Sequence, residues 1–215
     1  MNMTLNNKKK YRDIVTHYEK CLEEHGDNHL GVDWPKLEDV DKRYRVMTEI
    51  HTLGKIVKNR YSLLDFGCGA AHLLEYLKKN KFEIYDYSGL DISEKFVSLC
   101  RNKFPEINFY VLDILDEPSL PHFDYIIMNG VLTEKRELNY DEMITYFREL
   151  IKTVFAKADL GIAFNVMSKH VDRERNDLFH LPFDDLASFL TKEVSRNFVI
   201  RNDYGLYEYT IYVYK

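Results

Sequence analysis

The residues best suited to chemistry lie in one stretch, Leu63-Leu64-Asp65-Phe66-Gly67-Cys68-Gly69-Ala70-Ala71. A short apolar run ends there in Asp-x-Gly, as a buried strand does before a tight turn. Gly67 and Gly69 let the backbone turn sharply and admit a ligand where a Cβ would otherwise stand. The run that follows, AAHLLEYLKKN, reads as a helix whose first N–H groups would face an anionic group. Three more strand ends carry polar side chains. Asp91 closes YSGLD, where a carboxylate can accept both hydroxyls of a ribose. Asp113 closes INFYVLD, where a carboxylate can receive an adenine amino group, and Asn129-Gly130 closes FDYIIMNG. Each aspartate alone is equally a helix N-cap or a turn residue. Three polar positions at successive strand ends argue for a site, because ligands of open α/β sheets lie at the carboxyl ends of strands.

These residues need a sheet to hold them. Residues 4–25 predict a helix, with Leu5, Tyr11, Ile14, Val15, Tyr18 and Leu22 near helical spacing. The loop HGDNHLGVDWP follows, closed by Pro35, and a second helix is predicted over 36–58 with Leu37, Val40, Tyr44, Met47, Ile50 and Leu53 on one face. From YSLLDFG onward, strands alternate with helices through LGIAFNVMS, which implies right-handed βαβ units and a mostly parallel sheet. A charged segment, KHVDRERNDLFH, and the helix FDDLASFLTKEV come next. RNFVIRND and LYEYTIYVYK close the chain through a short Asp-Tyr-Gly turn with no helix between, so they must pair antiparallel. The fold class expected is α/β: seven strands, mostly parallel, with a terminal antiparallel hairpin, helices on both faces and a helical cap in front. The chain reads as one domain, residues 1–215, with 1–60 as cap or lid and 61–215 as core.

Composition narrows the partners. The 215 residues are 45% hydrophobic and 30% charged, enough for a core without disulfides or metal. The net charge of −5 and a pI of about 5.9 leave no dense basic stripe, so a nucleic-acid partner is not expected, and Lys8-Lys9-Lys10 reads as a solvated end. No run approaches the ~20 apolar residues of a membrane span, and no apolar segment follows the N-terminal lysines, which points to the cytoplasm. Cys21, Cys68 and Cys100 are widely spaced, with no CxxC pair and no zinc-type spacing, and read as buried thiols. No metal site is expected: the acidic residues of DRERND fit a solvated loop.

The series LLDFGCG, GLDIS, NFYVLDIL and FDYIIMNGVL resembles motifs I to IV of class I S-adenosylmethionine-dependent methyltransferases, over about residues 61 to 166. The resemblance implies a Rossmann-like fold, S-adenosylmethionine as donor and S-adenosylhomocysteine as product. It also implies roles for individual residues. Asp65 and the loop from Gly67 through Cys68 and Gly69 to Ala71 would lie against the methionine part. Asp91, with Ile92 beside it, would hold the ribose, and Asp113 with Ile114 the adenine. Asn129 would lie near the sulfonium and the substrate. The family's loop commonly ends in a third glycine, and Ala71 stands there in this chain. HGDNHLGVDW with Arg43-Tyr44, the stretch NVMSKHVDRERNDLFHLPFDDL and the terminal YGLYEYTIYVYK further resemble small bacterial methyltransferases. Genes of that group often stand among those for natural products or surface polysaccharides, which implies a small-molecule acceptor.

Methyl transfer from a sulfonium is an in-line displacement, so alignment and water exclusion carry much of the catalysis. An oxygen acceptor must also lose a proton, which calls for a base. Two segments can form a lid, the N-terminal helices with their loop and KHVDRERNDLFHLPF. His180 is the first candidate base, then His170 and His25, each of which is otherwise an ordinary loop histidine. His72 reads as a packing or solvent residue. Arg43 either pairs with the cofactor carboxylate or forms a surface ion pair with Glu38 or Asp39. His25, Trp34 and Tyr204 are candidate substrate contacts, Trp34 being equally an anchor for the N-terminal segment.

Three other classes compete. A nicotinamide-dependent oxidoreductase would want a glycine where His72 stands in G-x-G-x-x-G. Enzymes that methylate exocyclic base amines often carry N/D-P-P-Y/F where this chain reads Asn129-Gly130-Val131-Leu132. A non-catalytic cofactor-binding partner protein is the third. The reading adopted is O-methylation of a small polar metabolite such as a sugar, sugar nucleotide or related phosphate. N-methylation is the alternative, and the protein is expected to be a monomer or homodimer.

Overall fold

The computed structural model describes residues 5–117 and 119–215, with side chains from Lys10 onward. The expected helix start at residue 4 and the side chains of Leu5, Lys8 and Lys9 lie outside the described residues.

Helix α1 (Leu5–His25) ends where Gly26 takes the left-handed conformation, φ +73°, and returns its N–H to the Leu22 carbonyl at 2.8 Å. Helix α2 (Leu37–Thr48) is shorter than the sequence predicts and passes into a single 3₁₀ turn, Glu49–Thr52. Packing explains the early stop. The Tyr85 hydroxyl donates to the Thr48 carbonyl at 2.6 Å, taking an acceptor that a longer helix would use. Beyond it Ile56 and Val57 are 52% and 89% exposed, so a continued helix would have no apolar face to bury.

The core alternates as expected: β1 (Tyr61–Phe66), α3 (His72–Lys79), β2 (Tyr85–Asp91), α4 (Glu94–Lys103), β3 (Asn108–Val111), β4 (Phe123–Met128), α5 (Tyr140–Lys157) and β5 (Ala158–Ser168). The two-residue strand β6 (His180–Leu181), α6 (Phe183–Phe189) with a π-helical turn over 190–194, β7 (Phe198–Arg201) and β8 (Glu208–Tyr214) complete it. Among the described residues the sheet runs β3-β2-β1-β4-β5-β8-β7, parallel through β5 and antiparallel at β5·β8 and β7·β8. The seven expected strands and the terminal hairpin are all present. Strand β6, expected as part of a charged loop, adds a parallel bridge to Met167 and Ser168 of β5.

Side-chain period two assigns each face. Leu64 and Phe66 of β1 join Tyr11 and Ile14 of α1, Phe147 and Ile151 of α5, and Leu186 of α6 in one apolar layer. Tyr61 and Leu63 join Val40 and Met47 of α2, Leu73 and Leu77 of α3, and Val97 of α4 in the other. The chain steps outward from β1 through β2 to β3, then returns to the far side of β1 as β4. A crevice therefore opens at the carboxyl ends of β1 and β4, where the strand order reverses.

Candidate active site

The turn after β1 forms the floor of that crevice. The Gly67 and Cys68 N–H groups both donate to the Leu90 carbonyl, at 2.7 and 2.9 Å, locking the turn to β2. Gly67 has φ +73°, and a Cβ there would stand 2.5 Å from Val131 Cγ2, so glycine is required on both counts. Ala71, at the expected third glycine, takes φ +60° and ψ +33° at the N-cap of α3. That left-handed backbone costs a residue with a Cβ about 1–2 kcal/mol.

The acidic residues lie on neighbouring strand ends. Asp91 accepts the Gly69 N–H at 3.0 Å on one oxygen and the Ser93 N–H at 2.9 Å on the other. Burial pushes its carboxyl above the ordinary range, against those backbone bonds. Asp65 is 4% exposed and its Oδ2 accepts from the Tyr87 hydroxyl at 2.8 Å. Burial lifts its carboxyl to about 7; the Tyr87 bond opposes that and the charge of Asp91 adds to it. Asp113 accepts the Tyr11 hydroxyl on Oδ2 and the Leu115 N–H at 3.2 Å on Oδ1.

At the end of β4 stands Asn129, whose Oδ1 and Nδ2 are both buried without a hydrogen-bond partner. A buried primary amide left open at both atoms carries a desolvation cost that a ligand in the cleft would remove. Next to it a network fixes the backbone. The Gly130 N–H donates to Asn165 Oδ1 at 2.8 Å, Asn165 Nδ2 donates to Glu208 Oε1 at 3.0 Å, and Arg43 Nε reaches both Glu208 oxygens at 3.0 Å. The Arg43 guanidinium lies 5.2 Å above the Trp34 ring, and Trp34 in turn packs on Gly130.

One cleft takes in Asp65, Gly67, Cys68, Gly69, Asp91, Ile92, Asp113, Ile114, Asn129 and Trp34. Its roof comes from the N-terminal segment, through Tyr11, Ile14, Tyr18, Val32 and Trp34. Val32 Cγ1 lies 3.3 Å from where a Gly69 Cβ would be, so the loop after α1 rests on the glycine turn.

A methyltransferase-domain family matches residues 64–153, the span from within β1 into α5. A putative methyltransferase of Mycobacterium tuberculosis is 27% identical over 160 residues, which cover 72% of this chain and 93% of its own length. Together these matches support a class I S-adenosylmethionine-dependent methyltransferase. Solved structures agree on the fold. Magnesium protoporphyrin IX methyltransferase from Synechocystis, with S-adenosylmethionine bound, superposes with a TM-score of 0.59 at 17% identity, over 100% of both chains. The plantazolicin methyltransferase BpumL, bound to a desmethylplantazolicin analogue and S-adenosylhomocysteine, gives 0.64 at 16% identity over 97% of this chain and 98% of its own.

Five of the expected site residues of the methyltransferase do not reach the cleft. His180 is 5% exposed and sits in β6; its Nε2 accepts the Arg175 N–H at 3.2 Å, which leaves the ring proton on Nδ1, 2.6 Å from the Ser168 carbonyl. Both ring nitrogens thus serve the backbone, and the histidine holds β6 on β5. His170 is exposed and stacks on Phe183 at 5.4 Å. His25 ends α1 on the surface, 4.0 Å from Glu24. Tyr204 lies in the β7–β8 turn but points inward, 8% exposed, with its hydroxyl 2.9 Å from Thr210 Oγ1. Arg43 pairs with neither Glu38 nor Asp39: its Nε is bonded to Glu208.

Tyr11, Tyr18, Val32 and Tyr146 also line the methyltransferase cleft without being expected as site residues, and so does His72, expected as a packing or solvent residue. Tyr11 and Tyr18 were legible as apolar helix positions, but helical spacing does not separate a cleft wall from a core. His72 Nε2 lies 2.7 Å from Asp27 Oδ1, a pairing only the folded loop creates. Among the described residues, no helix is long and apolar enough to cross a membrane.

Proposed function

We propose that this methyltransferase methylates an oxygen of a small polar metabolite, such as a sugar, sugar nucleotide or related phosphate, in a cleft roofed by residues 1–60 and floored by 61–215. The observation that carries the reading is Asn129, a buried amide with donor and acceptor both open at the crevice between β1 and β4.

The residues present fit the cofactor. Gly67 and Gly69 line the cleft beside Asp65, where the methionine moiety would lie. Each Asp91 oxygen already takes one N–H and keeps a lone pair for a ribose hydroxyl, which orients both. Asp113 and Ile114 stand where adenine would lie, with Tyr11 beside them. Bound S-adenosylmethionine supplies a methyl group already activated on a sulfonium. The chain's task is then alignment and the exclusion of water. Tyr18, Val32 and Trp34 close the apolar roof, and Asn129 can accept from an acceptor hydroxyl while donating to a neighbouring oxygen.

His180 and His170 take no part. His72, the one histidine among the described residues lining the cleft, is engaged by Asp27. Of the acceptors proposed, an ionised phosphate oxygen has no proton to lose and could accept from Asn129 Nδ2, whereas a sugar hydroxyl bonded to Asn129 Oδ1 would pass its proton to water as it is methylated.

Calorimetric titration with S-adenosylmethionine and S-adenosylhomocysteine, with NADH as control, tests the cofactor reading. Methyl transfer from labelled donor to a panel of sugars, sugar nucleotides and phosphates tests the acceptor. Micromolar binding and an O-methyl product support the proposal. An N-methyl product replaces it with amine methylation, and folded protein that binds neither adenosyl ligand favours a non-catalytic partner protein.

A further inference from the structure

One cluster next to the roof is invisible in the spacing of the sequence. His17 and Cys21 stand at i and i+4 on α1, on the same face one turn apart. The loop after α1 folds back and brings Asp33 to them. His17 Nε2 lies 2.7 Å from Asp33 Oδ2 and 3.7 Å from Cys21 Sγ, and the three donor atoms all fall within 4.8 Å of one another. We propose that His17, Cys21 and Asp33 bind a divalent transition metal of the zinc type, which clips the loop carrying Val32 and Trp34 to α1.

The donor set selects the metal. One sulfur, one imidazole nitrogen and one carboxylate oxygen form a borderline-soft set that suits zinc or cobalt(II), whereas magnesium and calcium take oxygen ligands. Zinc bonds of about 2.0–2.3 Å place tetrahedral donors roughly 3.3–3.7 Å apart. The sulfur–nitrogen pair already has that separation. The nitrogen–oxygen pair needs to open by about half an ångström, as a metal replaces the hydrogen between them. Water would fill the fourth position, and the site is open to it, since the His17 and Asp33 side chains are 20% and 38% exposed.

The loop is built to hold this arrangement. Asp33 takes φ +56°, a left-handed backbone unusual for a residue with a Cβ. Its N–H donates to the Leu30 carbonyl at 3.0 Å, and the Trp34 N–H to the His29 carbonyl at 2.8 Å. One turn thereby aims the Asp33 carboxylate at α1 and the Trp34 ring into the cleft.

Binding is a proton exchange without redox change. The metal–sulfur bond forms as the Cys21 S–H proton leaves to solvent. The Nε2 hydrogen shared with Asp33 moves to Nδ1, so one proton is released in all. The clipped loop would hold Val32 on the glycine turn and Trp34 on Gly130. That consequence for the cofactor rests on the proposed function, whereas metal binding does not.

Untagged, metal-stripped protein titrated with cobalt(II) decides the matter. The expected result is one equivalent bound, with tetrahedral visible bands and a near-ultraviolet thiolate charge-transfer band that zinc abolishes. Cys21→Ser should remove the charge-transfer band, and His17→Ala should weaken binding by about tenfold or more, with circular dichroism showing both variants folded. No saturable binding, or a spectrum unchanged in Cys21→Ser, overturns the site. In a second arm, zinc should raise affinity for S-adenosylhomocysteine about tenfold, and equal affinity with and without zinc overturns the clip. Failure of that ligand to bind in either state refutes the proposed function instead, and leaves the cobalt spectrum to judge the metal.

Discussion

Lowering the pH from about 8 to about 6 should weaken binding of S-adenosylhomocysteine roughly tenfold, and Asp65 should be the cause. This carboxyl is 4% exposed, has the Tyr87 hydroxyl as its hydrogen-bond donor and lies near Asp91. Burial lifts it from an ordinary 3.8 to about 7. In the proposed placement it faces the methionine part of the ligand, whose ammonium group is best held by a carboxylate. Above pH 7 the charge is already formed. Below it, binding must first expel a proton, at about 1.36 kcal/mol per pH unit, or tenfold in affinity. Isothermal titration at about pH 6, 7 and 8, in buffers of different ionisation enthalpy, reads both the affinity and the proton released. Asp65→Asn should bind more weakly at pH 8, by about 1.5–3 kcal/mol for a lost charged hydrogen bond, and with little pH dependence. Stability moves the opposite way. A carboxyl whose folded-state value is raised contributes stability below its ordinary 3.8, and loses it as pH rises through about 7. Ligand-free Asp65→Asn should therefore gain on the parent above pH 7, by up to about 4 kcal/mol. A flat affinity between pH 6 and 8, or a slope that survives Asp65→Asn, would refute the reasoning.

Further outcomes follow from the same geometry. Asp91→Ala should weaken S-adenosylmethionine binding by about 1.5–3 kcal/mol in calorimetry, and unchanged affinity would remove Asp91 from the ribose. Ala71→Gly should raise stability by about 1 kcal/mol, seen as a Tm increase of about 2–4 °C, because glycine takes the left-handed backbone freely. His180→Ala should cost about 1–3 kcal/mol in denaturant unfolding, since it orphans the Ser168 carbonyl and the Arg175 N–H. Turnover of that variant should stay near the parent's where it is folded; a loss of about a hundredfold would restore His180 as a base.

Short windows of sequence specify the sheet and the floor of its cleft. Strand period, the Gly67–Gly69 turn and the aspartates at strand ends are local features, and the α/β alternation leaves few ways to connect them. Hence Asp65, Asp91, Asp113 and Asn129 were legible as neighbours before any fold was known. What lies above the floor was decided by tertiary structure alone. Arg43 meets Glu208 across 165 residues and Tyr11 meets Asp113 across 102, pairings that no local pattern encodes. Helix α2 stops at Thr48 because Tyr85 claims its carbonyl, and His180 is drawn into β6 because Ser168 and Arg175 claim its ring. His17 and Cys21 share a face of α1 by their spacing, but Asp33 joins them only when the loop turns back on α1. The physical division is between backbone periodicity, which is written in short windows, and side-chain partnership, which depends on where distant segments come to rest.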